Sequence, residues 1–486
     1  MAYTTIDDPT SFFNTVLYTG DLQDSDGTGH TQSITGVGFQ PDWVWHKGRS
    51  GARTHMLVDR VRGVSSYNWL ASSGSGAEVT TNTNGAISSI DSDGITVQNG
   101  NDSSSKSNNA GKNGETWVFW NWLAGGSAPA ITYTVKVVSD SGNKYRFDDF
   151  GTSAVTLDLQ EGGTYTFDQS DSSNAGHPLR FYTASDKSGG EYTTGVSTTG
   201  TAGSSGAKTV ITVAASAPTL YYQCSNHAGM GGQANTNSTF GSSNFSGSIQ
   251  STVSAGSTQG FSVVSYTGSG TTSNTVGHGL SSIDLLIVKS RDEADSWFLK
   301  HKSLSSNHNL NLDQNVATTN VTSAYSEGGL SNLSGNTFGF LDGTSDANAV
   351  NESSEKHIAY CFNEVKGYSK FKSYTGNGNA DGTFVYTGFK PAWILIKDTG
   401  SNQSWFLYDN KRDTINPNTK LLTVNNNSAE EDSASTGNTF DIDFVSNGFK
   451  IKTSDGGVNT SGNTYVYICF AESPFVNSNG IPTNAR

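Results

Sequence analysis

A chain of 486 residues is long enough for roughly three to five domains at ~100–200 residues each. Its formal net charge of −14, from 29 Lys and Arg against 43 Asp and Glu, argues against a nucleic-acid partner or an anionic membrane held by phosphate neutralisation. Charged residues make up 15%, against about 25% in ordinary soluble chains. The 56 Gly supply turns and the 19 Tyr, 24 Phe and 9 Trp supply a core, which excludes a disordered chain and predicts an all-β protein with long polar loops.

The start, Met1-Ala2-Tyr3-Thr4-Thr5-Ile6-Asp7-Asp8-Pro9, has neither a basic nor an apolar stretch, so no secretory signal is read there. No run approaches the ~20 apolar residues of a membrane span. Cys224, Cys361 and Cys469 are odd in number and far apart, which rules out a disulfide framework and predicts synthesis in a reducing cytosol.

Going along the chain, a pattern repeats three times. Tyr18-Thr19-Gly20, Tyr266-Thr267-Gly268 and Tyr374-Thr375-Gly376 each close an alternating segment. A strand-like run ending in Lys follows: Gly38-Phe39-Gln40-Pro41-Asp42-Trp43-Val44-Trp45-His46-Lys47, then Leu285-Leu286-Ile287-Val288-Lys289, then Gly388-Phe389-Lys390-Pro391-Ala392-Trp393-Ile394-Leu395-Ile396-Lys397. Next come His55 to Asp59, Trp297 to Lys300 and Trp405 to Asp409. Aromatic-rich strands close each copy: Thr116 to Trp122, His357 to Phe362 and Thr464 to Phe470. The interval from Tyr266 to Cys361 equals that from Tyr374 to Cys469, which predicts homologous domains. Both cysteines are placed opposite Trp120 and read as packing residues. Trp43, Trp297, Trp393 and Trp405 are expected in the core, and period-two alternation between Gly, Asn, Asp and Ser clusters predicts antiparallel sandwiches. Loops 72–84, 99–113 and 416–438 differ among the copies and are the expected recognition elements.

Residues 131–250 break the repeat and read as a separate β-sandwich, followed from Gln233 to Ser257 by a linker or extended crossing. This segment holds Cys224, His227 and Met230 at C-x2-H-x2-M spacing, with His177 entering an earlier strand. A thiolate, two imidazoles and a weak thioether form the ligand set of a blue-copper site. The arrangement resembles the cupredoxins, which implies copper on His177, Cys224, His227 and Met230. The His-to-Met gap is shorter than in plastocyanin-like loops, and Pro178 stands where many cupredoxins have Asn. The same residues also fit a cupredoxin fold in which they only pack.

Weaker signals read as structure. Asp24-Ser25-Asp26-Gly27 and Asp91-Ser92-Asp93-Gly94 lack the late Glu of a calcium loop and read as turns. His30, His46, His55, His278, His301, His308 and His357 share no ligand spacing. Aromatic and amide side chains in loops, such as Tyr67, Trp69 and Tyr325, would suit a sugar, but no pattern singles them out and no binding residue is assigned outside the copper-like set. No carboxylate pair, phosphate loop or nucleophile elbow is recognised, so no catalytic residue is assigned.

The repeats resemble modules in virion proteins of marine tailed bacteriophages. The matching residues are Gly38 to Trp45, Val58-Asp59-Arg60-Val61-Arg62-Gly63, Thr116 to Trp122 before Ala124-Gly125-Gly126, and Phe470 to Val476. Cupredoxin-like inserts ending Cys-x-x-His-x-x-Met-Gly-Gly occur in similar proteins. The expected fold is all-β: three jelly-roll or lectin-like sandwiches at 1–128, 258–366 and 367–486, joined end to end, and a cupredoxin-like Greek key at 131–250. The resemblance implies a non-enzymatic tail fibre or surface appendage of the virion. It would attach to a host-envelope component, foremost a glycan, contact other virion proteins and form homo-oligomers. A capsid decoration protein and a polysaccharide depolymerase are the alternatives.

Overall fold

The structure, a computed structural model, describes residues 3–64, 67–236, 240–321, 329–331, 333, 335–341, 349–437 and 439–483. Nearly all of its regular elements are strands. Among the described residues no helix is long and apolar enough to cross a membrane.

Each repeat builds a large sheet packed on a small three-stranded one. In the first, Phe13–Thr19, Thr116–Trp122, Trp43–Gly48 and Met56–Asp59 face Thr31–Thr35, Gly94–Gln98 and Ala86–Asp91. In the third, Ser369–Thr375, Thr464–Pro474, Phe389–Asp398 and Phe406–Asp409 lead the large sheet, opposite Phe384–Tyr386, Gly448–Ile451 and Ile442–Val445. The second follows the same order around Phe261–Thr267, Lys356–Phe362, Leu285–Ser290 and Phe298–His301. Its large sheet also takes up Ser242–Asn244 and Ser251–Gly256. The stretch expected as a linker is therefore partly sheet, because Val253 and Val264 pair and both are buried.

The central strands are buried on both faces, which is why they read as unbroken apolar runs. Val44, Met56, Val58 and Phe119 point into the first sandwich, while Trp43, Trp45, Leu57, Trp120 and Trp122 point out of it. The outward sets of all three repeats merge into one core, with Leu285, Trp297 and Tyr360 from the second and Trp393, Trp405 and Phe470 from the third. Trp43, Trp297, Trp393 and Trp405 are core residues, as expected. The modules are not strung end to end as expected. They close a ring with three-fold pseudo-symmetry, because each large sheet has a second apolar face that must be covered.

Hydrogen bonds repeat around this ring. Trp297 Nε1 of the second module donates to the Ala71 carbonyl of the first at 2.8 Å, and Trp405 Nε1 of the third to the Asn311 carbonyl of the second at 2.9 Å. His55 of the first accepts from Trp45 Nε1 through Nδ1, which leaves Nε2 to donate to the Thr423 carbonyl of the third at 3.0 Å. The lysines closing the repeated strands are buried. Lys47 donates to the Arg53 carbonyl, Lys289 to Ser290 and Glu293, and Lys397 to Asp398. Burial lowers these ammonium groups to about 7, 8 and 8 respectively.

The strand register moves one equivalence. Val44, Leu286 and Ile394 pair with Asn121, Cys361 and Cys469, so the position matching the cysteines is Asn121, not Trp120. One residue along a strand changes the face: Trp120 enters the shared core, while Cys361 and Cys469 enter their own sandwiches. Both thiols are buried packing residues.

The insert rises between the first and second modules. Val196–Thr199, Lys208–Thr212, Thr164–Asp168, Ala130–Ser139 and Asn143–Phe147 form one sheet, and Leu157–Asp158, Gln233–Asn235, Leu220–Cys224 and Leu179–Tyr182 the other. Two pairings are parallel, Thr164–Asp168 with Ala130–Ser139 and Leu157–Asp158 with Gln233–Asn235. Tyr133, Phe147, Tyr165, Phe167, Phe181 and Tyr222 fill the space between the sheets.

Candidate metal centre

His177 enters the strand Leu179–Tyr182, and Cys224 ends the antiparallel neighbour Leu220–Cys224, with Leu179 as its partner. This register sets the thiol two residues from His177. The Ser225 N–H donates to the Pro178 carbonyl at 3.0 Å and turns the chain toward His227. Cys224 Sγ lies 3.9 Å from His177 Nδ1 and 3.5 Å from His227 Nδ1. The three ligand atoms lie within 4.8 Å of one another. Donors ~2.0 Å (N) and ~2.3 Å (S) from one ion at tetrahedral angles stand ~3.5 Å apart, so this spacing suits a single ion. Cys224 is buried and His227 is exposed, so the centre is open on one side.

The loop is held from below. Gln223 Oε1 accepts the N–H groups of Met230 and Gly231, each at 3.1 Å. A side chain at Gly231 would collide with the Tyr222 carbonyl, which is the reason for glycine there. Lys187 Nζ donates to the carbonyls of Cys224 at 3.1 Å and Ser225 at 3.2 Å. The His177 carbonyl accepts from Tyr145 OH at 2.8 Å and Gln169 Nε2 at 3.0 Å. Burial, and then the neighbouring Cys224 sulfur, hold the Tyr145 phenol well above its ordinary range. Burial, and then His227, lower the His177 imidazole, which favours the neutral, ligating form. Met230 packs in the insert's core, and its carbonyl accepts the Tyr145 N–H at 2.8 Å.

Of the four residues singled out in the sequence, the structure brings His177, Cys224 and His227 together, and places Met230 behind them in the core. Gln223, beside Cys224, was visible in the motif. Tyr145, Gln169 and Lys187 were not, because only the fold carries them to the site. Asn143 Nδ2 lies 3.5 Å from His177 Nε2, just past the outer end of Ala130–Ser139. At ~3.3 Å per residue this strand sets the centre roughly 30 Å from the ring junction at its start.

The aromatic loop candidates fare differently. Trp69 is buried in the first module's core and Tyr67 packs against that core, with its OH donating to Gln98 Oε1 at 3.1 Å. Tyr325 lies outside the described residues. Loop 72–84 is partly spent on the ring: Ser72 Oγ donates to the Val424 carbonyl at 3.0 Å and Glu78 pairs with Arg291 at 2.8 Å.

Comparison with known proteins finds no match among curated proteins and none among solved structures. A family model described as "Domain of unknown function (DUF7483)" matches residues 8–157 and 232–474. Those stretches take in the three repeats and the two ends of the insert, whereas His177, Cys224, His227 and Met230 fall between them. With most of its length matched, the chain belongs to the DUF7483 family.

Proposed function

We propose that this chain is a structural protein of a bacteriophage virion, a tail fibre or surface appendage that attaches to glycans of the host envelope. The closed ring is the observation that supports it. Three related sandwiches spend their second apolar faces on one another, which makes a stiff body with the small sheets and their loops on its outside. Related loops on one rigid body bind a repetitive surface with avidity, since each added contact forms at high effective concentration. The pseudo-three-fold ring also suits a symmetric particle, on which copies of the chain would meet other virion proteins. Incubating the purified chain with host cells and their surface polysaccharide tests the reading. Retention without cleavage supports it, and cleavage would favour a depolymerase.

For the insert we infer a copper centre of type-1 character, supported by two imidazole Nδ1 atoms and a thiol converging at single-ion spacing. His177, Cys224 and His227 would hold the ion, and soft sulfur beside imidazole favours copper over oxygen-preferring ions. Bound copper would supply a thiolate-to-metal charge-transfer chromophore and a tie between the two loops. Adding copper to the purified chain should give an intense visible band that Cys224→Ser abolishes. A colourless, unbound chain would leave these residues a packing role.

A further inference from the structure

Each small sheet turns one face outward, and in the third module that face differs from its two counterparts. Strand register sets the equivalences: Thr35, Gly277 and Tyr386 lie opposite Gly94, Thr337 and Gly448. The preceding residues, Ile34, Val276 and Val385, point into their own sandwiches. The positions on either side of them therefore face outward. These are Ser33 and Thr35 in the first module, Thr275 and Gly277 in the second, and Phe384 and Tyr386 in the third. Phe384 is 48% exposed and Tyr386 51%, and among the described residues no other aromatic side chain is left exposed.

The two rings stand roughly 7 Å apart on one strand face and form a platform with charge on its rim. Tyr3 OH donates to the Gly388 carbonyl at 2.9 Å, which leaves it to accept from Tyr386 OH at 3.1 Å and so holds that ring in place. Gly448, opposite Tyr386, has no side chain to cover it, and Lys450 stands opposite Phe384. Lys370 Nζ lies 5.9 Å from the Tyr386 ring centre, and Lys366 Nζ 4.4 Å from that of Tyr3. Glu364, 3.9 Å from Lys370, is held by Lys302 at 2.6 Å. Asp381 is shared between Lys450 at 2.6 Å and Lys452 at 3.2 Å, with Asp443 across the sheet from Lys450. Lys366, Lys370, Lys450 and Lys452 thus leave an excess of positive charge here, in a chain of net charge −14.

The fold does not call for aromatic rings at these positions, since Ser33, Thr35, Thr275 and Gly277 fill them in the sister modules. Half of two aromatic side chains of ~150–250 Å² each is roughly 200 Å². That is far below the ~800 Å² per partner of a stable protein interface, so a second copy or another protein is poorly served by this face. It matches one face of a sugar ring, whose C–H groups pack on aromatic side chains, while the cations at its edge complement an acid. We propose that the Phe384 and Tyr386 platform binds an acidic saccharide, with the C–H face of a uronate ring on the two side chains and its carboxylate toward Lys370. The proposal rests on the glycan-attachment reading and names the place and the class of sugar.

The full-length chain is titrated by calorimetry with trigalacturonate and a hyaluronan tetrasaccharide, and with maltotriose and chitotriose as neutral controls, at low and high salt. Wild type is compared with Lys370→Gln and with the double variant Phe384→Ser and Tyr386→Thr, which carries the first module's residues at both positions. Thermal unfolding, sedimentation and retention on host cells are measured in parallel. An acidic sugar should bind more tightly than the neutral ones, and the double variant should weaken it about tenfold with unfolding unchanged. Lys370→Gln should weaken it too and flatten its salt dependence. Wild type that binds neither acidic sugar, binds the neutral ones as tightly, or binds no better than the double variant would overturn the platform. Cell retention that persists in those cases leaves the attachment reading standing. A double variant that alters sedimentation and not sugar binding would assign the face to a second copy and overturn the platform likewise. Acidic-sugar binding without cell retention would keep the platform and overturn the attachment reading.

Discussion

The indole N–H of Trp120, in the first module, donates to the carboxylate of Asp409, in the third, at 3.0 Å. Asp409 also holds Arg412 at 2.5 Å, Arg412 holds Glu430 at 3.0 Å, and Glu430 reaches back to Arg49 of the first module at 2.8 Å. The seam between the first and second modules repeats this: Tyr360 donates to Asp59, Arg62 bridges Asp59 and Glu78, and Glu78 binds Arg291. At the seam between the second and third, His301 and Leu304 stand in place of the aspartate and arginine. There the His301 Nε2 faces the Tyr467 carbonyl at 3.3 Å. Two seams thus carry a buried Asp–Arg pair, and at the third, among the described residues, His301 and Leu304 take those two places.

Asp409→Asn should destabilise the chain by about 3–5 kcal/mol, because it leaves the buried Arg412 guanidinium short of its partner. Trp120→Phe, which removes the indole donor and leaves a small cavity in the shared core, should cost about 1–3 kcal/mol. Urea unfolding of the variants checks both. A loss below about 1 kcal/mol for Asp409→Asn would show that the ionic seam is not buried in solution.

Acid should weaken the fold before the carboxylates titrate. His46 is buried with its imidazole lowered to about 3, and His278, His301 and His357 are each lowered to about 4, burial being the main cause. The unfolded chain binds these protons near pH 6.5 and the folded chain does not, so stability falls as pH drops from about 6.5 toward 4. His301 contributes up to about 3 kcal/mol of this. Its Nδ1 accepts the Ser303 N–H at 3.1 Å, so a proton there breaks a hydrogen bond at the seam between the second and third modules. Denaturation midpoints at pH 7 and pH 5 should differ, and His301→Gln should narrow the gap. Equal midpoints would contradict buried, neutral imidazoles.

All three thiols should resist alkylation in the folded protein. Cys224, Cys361 and Cys469 are buried, and burial holds the thiols of Cys361 and Cys469 well above their ordinary range. Mass spectrometry after iodoacetamide should find no label under native conditions and three labels in denaturant. Native labelling at Cys361 or Cys469 would refute the sandwich cores.

Tyr145→Phe bears on the copper reading. Removing the hydroxyl that holds the His177 carbonyl should weaken copper about tenfold while the domain stays folded. Unchanged copper affinity would mean that the phenol does not position His177.

What could be read in the sequence was whatever repeats or alternates. The Trp43, Trp297, Trp393 and Trp405 core positions followed from period two, and the His177, Cys224 and His227 cluster from a motif. Closure of the ring did not follow, because an unbroken apolar strand shows that both faces are buried without showing against what. The match of Cys361 to Trp120 rather than Asn121 failed by one residue, since spacing alone does not fix strand register.

The most direct test of the attachment account is immunogold electron microscopy of purified phage particles with antibody to this chain. The account predicts gold on a fibre or surface appendage of intact virions, with soluble chain blocking adsorption to host cells. Particles that carry no gold, or carry it only on the capsid shell while adsorption is unaffected by soluble chain, would contradict it.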